Sequence, residues 1–203
     1  MKKTLLFTAF AVVCAALTIA ASEVSFAQSK AATKEAKKAA KELKKQGWYI
    51  DGNHSMEYCL AKFMELEEEN ETFIGRSSNY DNEKVAKNAA RRDGVRESIE
   101  LTSSQFRGIG DEMEGKLNNE TLDNLVMASI NKYEGKIEGK MRVSFVLFKK
   151  NPNNKYDAQV YMYLQKQVAN EYKKEAMIDG LKETAIAETY INEIERIVNE
   201  KFK

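Results

Sequence analysis

Histidine, proline and cysteine are nearly absent from this sequence, and each shortage excludes a kind of site or structure. Pro152 is the single proline, so little in the chain interrupts long helices. His54 is the single histidine, and it lies in a predicted turn just before a helix that carries Cys59. The two side chains would not face each other, which excludes a cysteine–histidine catalytic pair and an ordinary zinc site. We therefore expect no catalytic residue, no metal and no cofactor.

The net charge is small as well, at +1 for the whole chain. The chain carries 32 Lys and Arg against 31 Asp and Glu, and charged residues make up 31% of it. This charge density is typical of long helices with solvated faces. Because the signs cancel, no net field would attract the phosphate backbone of a nucleic acid, which is therefore not an expected partner.

The one long hydrophobic run lies at the start of the chain. Two lysines precede it, and Ser25 and Ala27 then place small residues at positions −3 and −1 of a cut before Gln28. The alternative is a membrane anchor, but the run is near the lower length limit and rich in alanine and threonine. We interpret residues 1–27 as a cleavable signal peptide, so the protein is expected to be periplasmic or secreted, with no membrane span after cleavage.

The two cysteines bear on anchoring and on disulfides. Cys14 lies inside the apolar run, but Val13 stands where lipoprotein processing requires a small residue, which disfavours lipid attachment. After cleavage Cys59 is the only cysteine, so no intramolecular disulfide can form. We expect Cys59 to be buried, and an intermolecular bridge is the alternative.

Beyond the signal, the sequence divides into a charged helical arm at 28–47 and a single domain at 48–203. Residues 30–46 are rich in Ala, Lys and Glu, which favour helix, and Leu43 is their only large apolar residue. So small an apolar face predicts a solvated arm that does not enter a core.

Hydrophobic spacing within 48–203 predicts an α+β fold. The predicted helices cover 56–70, 83–104, 117–132 and a long C-terminal helix from 168, in which only Gly180 is unfavourable. Residues 105–115 contain three glycines and are predicted to be a loop. A strand at 72–80 and a hairpin within 134–165 complete a small antiparallel or mixed sheet of about three strands, with helices on one face.

The helix at 83–104 has an unusual face. Ala86, Ala90 and Gly94 recur at every fourth position, so small residues line one side of it. Such a seam lets a helix approach a sheet closely, and we predict that these three residues face the sheet.

Two neighbouring elements also resemble part of a known family. They are a glycine-containing strand (FIGRSS) and the small-residue helix that follows it (AKNAARRDG). Across residues 72–164, the order of strand, helix, helical region and hairpin resembles the domain of the twenty-kilodalton outer-membrane-associated lipoprotein family of Gram-negative bacteria. The lysine-alanine leader before Gly47 and Trp48 is similar to that of exported relatives of the group. The resemblance implies a small α+β envelope domain, peripheral to the outer membrane, with no catalytic residues to carry over.

Three functions are consistent with the sequence. The first is a non-enzymatic envelope protein, an interaction or structural domain that contacts an envelope protein or itself through 30–46 and 168–203. The second is a periplasmic carrier or chaperone that encloses an apolar ligand against Met56, Phe63, Met64 and the aromatic residues of the hairpin. The third is a hydrolase whose carboxylate site no motif reveals. We expect the first.

Overall fold

Four antiparallel strands form the centre of the fold. The strands are β1 (Trp48–Ile50), β2 (Asn70–Tyr80), β3 (Arg142–Lys150) and β4 (Tyr156–Gln165), and they lie in the order β1-β3-β4-β2. The structure is a computed structural model that describes residues 32–113, 115–184 and 186–202. The predicted signal peptide, with Cys14 and the cut before Gln28, lies outside these residues.

Six helices are present in the described part of the chain. They are α1 (32–45), α2 (Met56–Leu66), α3 (Glu83–Asp111), α4 (Asn119–Ile137), α5 (Lys166–Glu183) and α6 (Glu188–Lys201). Ser55, Asn82 and Asn118 cap α2, α3 and α4, because each side chain accepts a hydrogen bond from the first turn. The predicted α+β class is confirmed. The fourth strand, β1, was missed because three residues are too few to show alternation.

The hairpin of β3 and β4 is the centre of the sheet, as the alternating sequence predicts. Val160 of β4 pairs with Val146 of β3 on one side and with Gly75 of β2 on the other. At the turn, the Asn151 side chain accepts from the Lys155 backbone N–H, and Asn154 adopts a positive φ. Asparagine suits both positions, because its side chain can accept a hydrogen bond from nearby backbone and because it tolerates a positive φ.

Helices cover both faces of the sheet, so the expectation of helices on one face was wrong. α3 to α6 pack on one face, here named the α3 side, and α1 and α2 pack on the other, the α1 side. The residues 145–148 of β3 are all buried. A continuous apolar run of this kind is expected of a strand that has packed layers above and below it.

The predicted solvated arm is part of the core, which corrects the interpretation of 28–47. Ala36 and Ala40 of α1 are fully buried and pack in one cluster with Met56, Leu60 and Phe63 of α2. Alanine offers little apolar area, but its small size lets a helix lie close to its neighbours.

Two predicted helix ends also differ from the structure. α3 continues through the expected loop at 105–115 as far as Asp111, because Phe106 and Ile109 are buried there and packing outweighs the glycines. α2 is shorter than predicted, and the Asn70 side chain donates to the carbonyl of Leu66 where the helix ends.

The long C-terminal helix is divided between α5 and α6. The break does not occur at Gly180, which stays in α5 and packs against Ser129 of α4. It occurs at Thr184, whose hydroxyl donates to the carbonyls of Gly180 and Leu181 and so satisfies groups at the helix end.

A candidate binding surface on helix α3

α3 lies directly against the backbone of β2. Ala86, Ala90 and Gly94 are all buried, which confirms the predicted seam of small residues. Gly75 of β2 faces them so closely that a Cβ there would overlap the carbonyl oxygen of Ala90. A Cβ on Gly94 would likewise overlap the Met162 side chain. The seam therefore fixes the position of α3 on the sheet, and with it the position of every residue on its outer side.

That outer side carries arginines. Arg91, Arg92 and Arg96 are exposed, and they lie within two turns of each other on α3. Arg96 pairs with Asp93 and Glu100 of the same helix. No carboxylate of the described residues lies within ion-pair distance of Arg91 or Arg92. Among the described residues, these two guanidinium groups are thus exposed without an ion-pair partner.

A groove of about 870 Å³ runs between α3 and α4 beside these arginines. Val95 and Ile99 of α3 are half-buried and form its apolar floor. The three arginines form one wall, and Glu134 of α4 and Glu138, just after the end of α4, stand on the other. Gly135 adds no side chain, and a Cβ there would meet nothing within 4 Å. The groove therefore combines an apolar floor with walls of opposite charge.

A second, smaller hollow of about 390 Å³ lies on the other side of the arginine row, between α3 and the end of β2. Its lining residues are Arg76, Ser77, Ser78, Tyr80, Ala89, Arg92, Asp93 and Arg96. Asp93 accepts from the Arg76 backbone N–H at 2.9 Å and from the Arg96 guanidinium at 2.7 Å. Arg92 and Arg96 line both the groove and the hollow, whereas Arg76 lines only the hollow and Arg91 only the groove.

Inside the α3 side of the fold lies a group of buried polar residues. Lys173 of α5 is 1% exposed and forms an ion pair with Glu71 of β2. The Tyr133 hydroxyl lies 3.3 Å from that of Ser98. Burial raises the pKa of Tyr133, and the nearby Glu71 carboxylate adds to this, while the hydroxyls of Ser98 and Thr102 partly oppose it. None of these residues lines the groove or the hollow. We therefore interpret Lys173 and Glu71 as a structural ion pair.

The residues that the sequence suggested for chemistry are not brought together. His54 lies in the turn before α2, and its ring is 5.3 Å from that of Tyr58. Cys59 is half-buried and unpaired, and burial raises the pKa of its thiol. Within the described residues, no three His, Cys, Asp or Glu side chains are placed to hold a metal ion.

The residues expected to line an apolar ligand site pack against one another. Met56 and Phe63 are 2% and 4% exposed, and Met64 is partly buried beside them. The Phe63 ring meets those of Phe145 and Tyr161 edge-on, at 6.1 and 5.1 Å between centroids. These side chains fill the space that a ligand would need.

Sequence reasoning did not find the arginine surface. One signal was present, since Arg92 and Arg96 are one turn apart and lie away from the Ala90 and Gly94 face of the helix. Arg76 could not be added to them without knowing that α3 crosses β2 at Gly75.

Comparisons with known proteins leave the function to be argued from this geometry. No family model matches the chain, and neither a curated protein nor a solved structure matches it significantly. No helix in the described ranges combines the length and the apolar character needed to cross a membrane.

Proposed function

We propose that this protein is a non-enzymatic exported protein of the cell envelope that binds a segment of another envelope protein in the groove between α3 and α4. The observation that carries the proposal is the groove itself, with its apolar floor of Val95 and Ile99 between walls of opposite charge. Export rests on the signal-peptide pattern of residues 1–27.

The charges indicate what kind of segment would fit. An amphipathic helix or extended peptide would place apolar side chains on the floor, as in other grooves that bind peptides. Its acidic edge would lie along Arg91 and Arg92, and its basic edge along Glu134 and Glu138. Because the two walls differ in sign, a reversed segment would meet like charges on both edges, so the groove also selects one orientation.

The groove is a different contact surface from the one that the sequence favoured, which consisted of residues 30–46 and 168–203. α1 uses Ala36 and Ala40 inside the fold, and α5 packs along α4 with Ala176 and Met177 buried. The apolar faces of α1 and α5 are therefore engaged within the chain. The groove leaves apolar floor residues only half-buried, which supports it as the place for a partner.

A photo-crosslinking residue in place of Asn131, which lines the groove, tests the proposal in cells that export the full chain. The same residue in place of Asn199, exposed on α6, is the matched control. We expect a discrete heterologous product from position 131 only, with a contacted segment that carries acidic residues on one edge. Equal labelling from both positions, or a product that contains only two copies of this chain, would contradict the proposal.

The export part has a test of its own. Mass spectrometry of the protein from the envelope fraction should find a mature N-terminus at or near Gln28. An intact Met1, or a lipid on Cys14, would overturn the proposed localisation without bearing on the groove.

A further inference from the structure

The hollow between β2 and α3 shares Arg92 and Arg96 with the groove, but its other lining residues differ, and together they have the chemistry of an anion site. Three guanidinium-bearing residues from two different elements line it, Arg76 from the strand and Arg92 and Arg96 from the helix. Hydroxyl-bearing residues, Ser78 and Tyr80, line it as well. We propose that this hollow binds a phosphate monoester group.

The hollow is built from both elements at once. The Asp93 carboxylate bonds to the Arg76 backbone N–H and to the Arg96 guanidinium, and so ties the strand edge to α3. The Ser77 hydroxyl donates to the carbonyl of Ala86 at 2.7 Å, which makes a second tie between the two elements. The Arg76 guanidinium donates to the carbonyl of Ile74 from one nitrogen, so its other N–H groups are left for a ligand.

The charge balance favours a doubly charged ligand over a singly charged one. Asp93 is the only carboxylate among the lining residues, and it pairs with Arg96, as does Glu100 outside the hollow. Arg76 and Arg92 form no ion pair within the described residues, so two positive charges remain for a ligand. A phosphate monoester carries a charge of about −1.5 to −2 at neutral pH and offers three acceptor oxygens. Guanidinium groups match such oxygens in pairs, whereas a carboxylate would leave part of the positive charge unbalanced.

The hollow is open to solvent, and its volume of about 390 Å³ is enough for a phosphoryl group with a small remainder such as glycerol. The hollow is suited to binding, because its Asp93 and Ser77 side chains are engaged in hydrogen bonds between β2 and α3 and no histidine lines it to act as a general base. The same group is found in a soluble phosphate ester and in the headgroup of phosphatidic acid.

Titration of the full chain with glycerol 3-phosphate, followed by calorimetry, tests the inference, with acetate as the comparison anion. We expect saturable binding of the phosphate ester and none of acetate. Arg76→Gln and Arg92→Gln should each weaken binding roughly tenfold, because each removes a charge-assisted contact. Arg107→Gln changes an exposed arginine farther along the same helix, outside the hollow, and should leave binding unchanged.

Vesicles then distinguish the two sources of the phosphate group. Sedimentation with vesicles that contain phosphatidic acid, but not with neutral vesicles, would assign the site to a lipid headgroup. Binding of glycerol 3-phosphate without sedimentation would assign it to a soluble ester. Absence of saturable binding, equal binding of acetate, or equal losses in Arg92→Gln and Arg107→Gln would overturn the inference. Arg92 has no ion pair within the described residues, so its replacement is not expected to disturb folding.

Discussion

The two sides of the sheet are built in opposite ways. On the α3 side, helix and strand meet backbone to backbone, and Gly75 leaves no room for a Cβ, which would overlap the backbone of Ala90 and Gly94. On the α1 side, the helices meet the sheet through large rings, with Phe145 stacked on Tyr161 at 4.1 Å and Phe63 edge-on to both. A contact between two backbones cannot adjust to an added atom, whereas an aromatic cluster can rearrange its rings.

The two sides also differ in polarity. The α3 side encloses the ion pair of Lys173 and Glu71 together with the hydroxyls of Tyr133 and Ser98. The buried cluster of the α1 side is made of apolar and aromatic residues. We therefore expect the α3 side to respond strongly to small changes of shape or charge, and the α1 side to tolerate conservative ones.

The largest expected effect is the loss of the buried cation. Lys173→Met leaves the Glu71 carboxylate largely buried without its partner, and should lower the free energy of unfolding by about 3–5 kcal/mol. Adding Glu71→Leu removes the uncompensated charge and should restore most of the lost stability. Urea denaturation of the single and double variants measures both. A double variant as unstable as the single one would mean that the pair is not the cause.

The second largest loss of stability is expected from a single methyl group added on the α3 side. Gly75→Ala forces a Cβ against the Ala90 carbonyl and should cost about 3 kcal/mol, the upper end of the range for overpacking. The control is Gly135→Ala on the open side of α4, which should stabilise the helix by about 1 kcal/mol. Thermal melts of the two variants should move in opposite directions. If both moved alike, the close contact of helix and strand would be wrong.

On the α1 side, a change of shape should be milder. Phe63→Leu removes a ring that is 4% exposed but keeps an apolar side chain, and should cost about 1.5 kcal/mol or less after repacking. Denaturant titration gives the value. A loss larger than that of Gly75→Ala would reverse the comparison between the two sides.

The smallest effect belongs to the surface ion pair that joins the two helices of the α1 side. Lys44 donates to Glu57 at 2.6 Å, and this bond holds the pKa of Glu57 below its usual range. Because the folded-state pKa is lowered, the contribution is present at neutral pH and is lost as the pH falls through that pKa. Lys44→Ala should cost less than about 1 kcal/mol at pH 7, and stability measured at several pH values should show the difference shrinking in acid. A difference that grew in acid would contradict this assignment.

The two sides of the sheet also differ in how far the sequence could predict them. The α3 seam was predictable because Ala86, Ala90 and Gly94 recur at helical spacing, and spacing is visible in a single sequence. The burial of α1 was not predictable from the sequence. Ala36 and Ala40 contribute through their small size, which matters only because α2 and the sheet pack closely against them.

The candidate surface was predictable only in part. Arg92 and Arg96 could be placed on the outer side of the helix from their spacing. The groove wall at Glu134 and the contribution of Arg76 depend on how α4 and β2 lie beside α3, which no local pattern records.

The central claim is that the outer face of α3 is a binding surface and not a structural one. Arg91→Glu, which alters the groove and leaves the hollow untouched, tests it through the crosslink from position 131. Arg107→Glu, the same charge reversal on an exposed arginine of the same helix, is the matched control. We predict that Arg91→Glu abolishes the heterologous product while both variants melt at the wild-type temperature. Persistence of that product in Arg91→Glu, at the yield seen in Arg107→Glu, would contradict the claim.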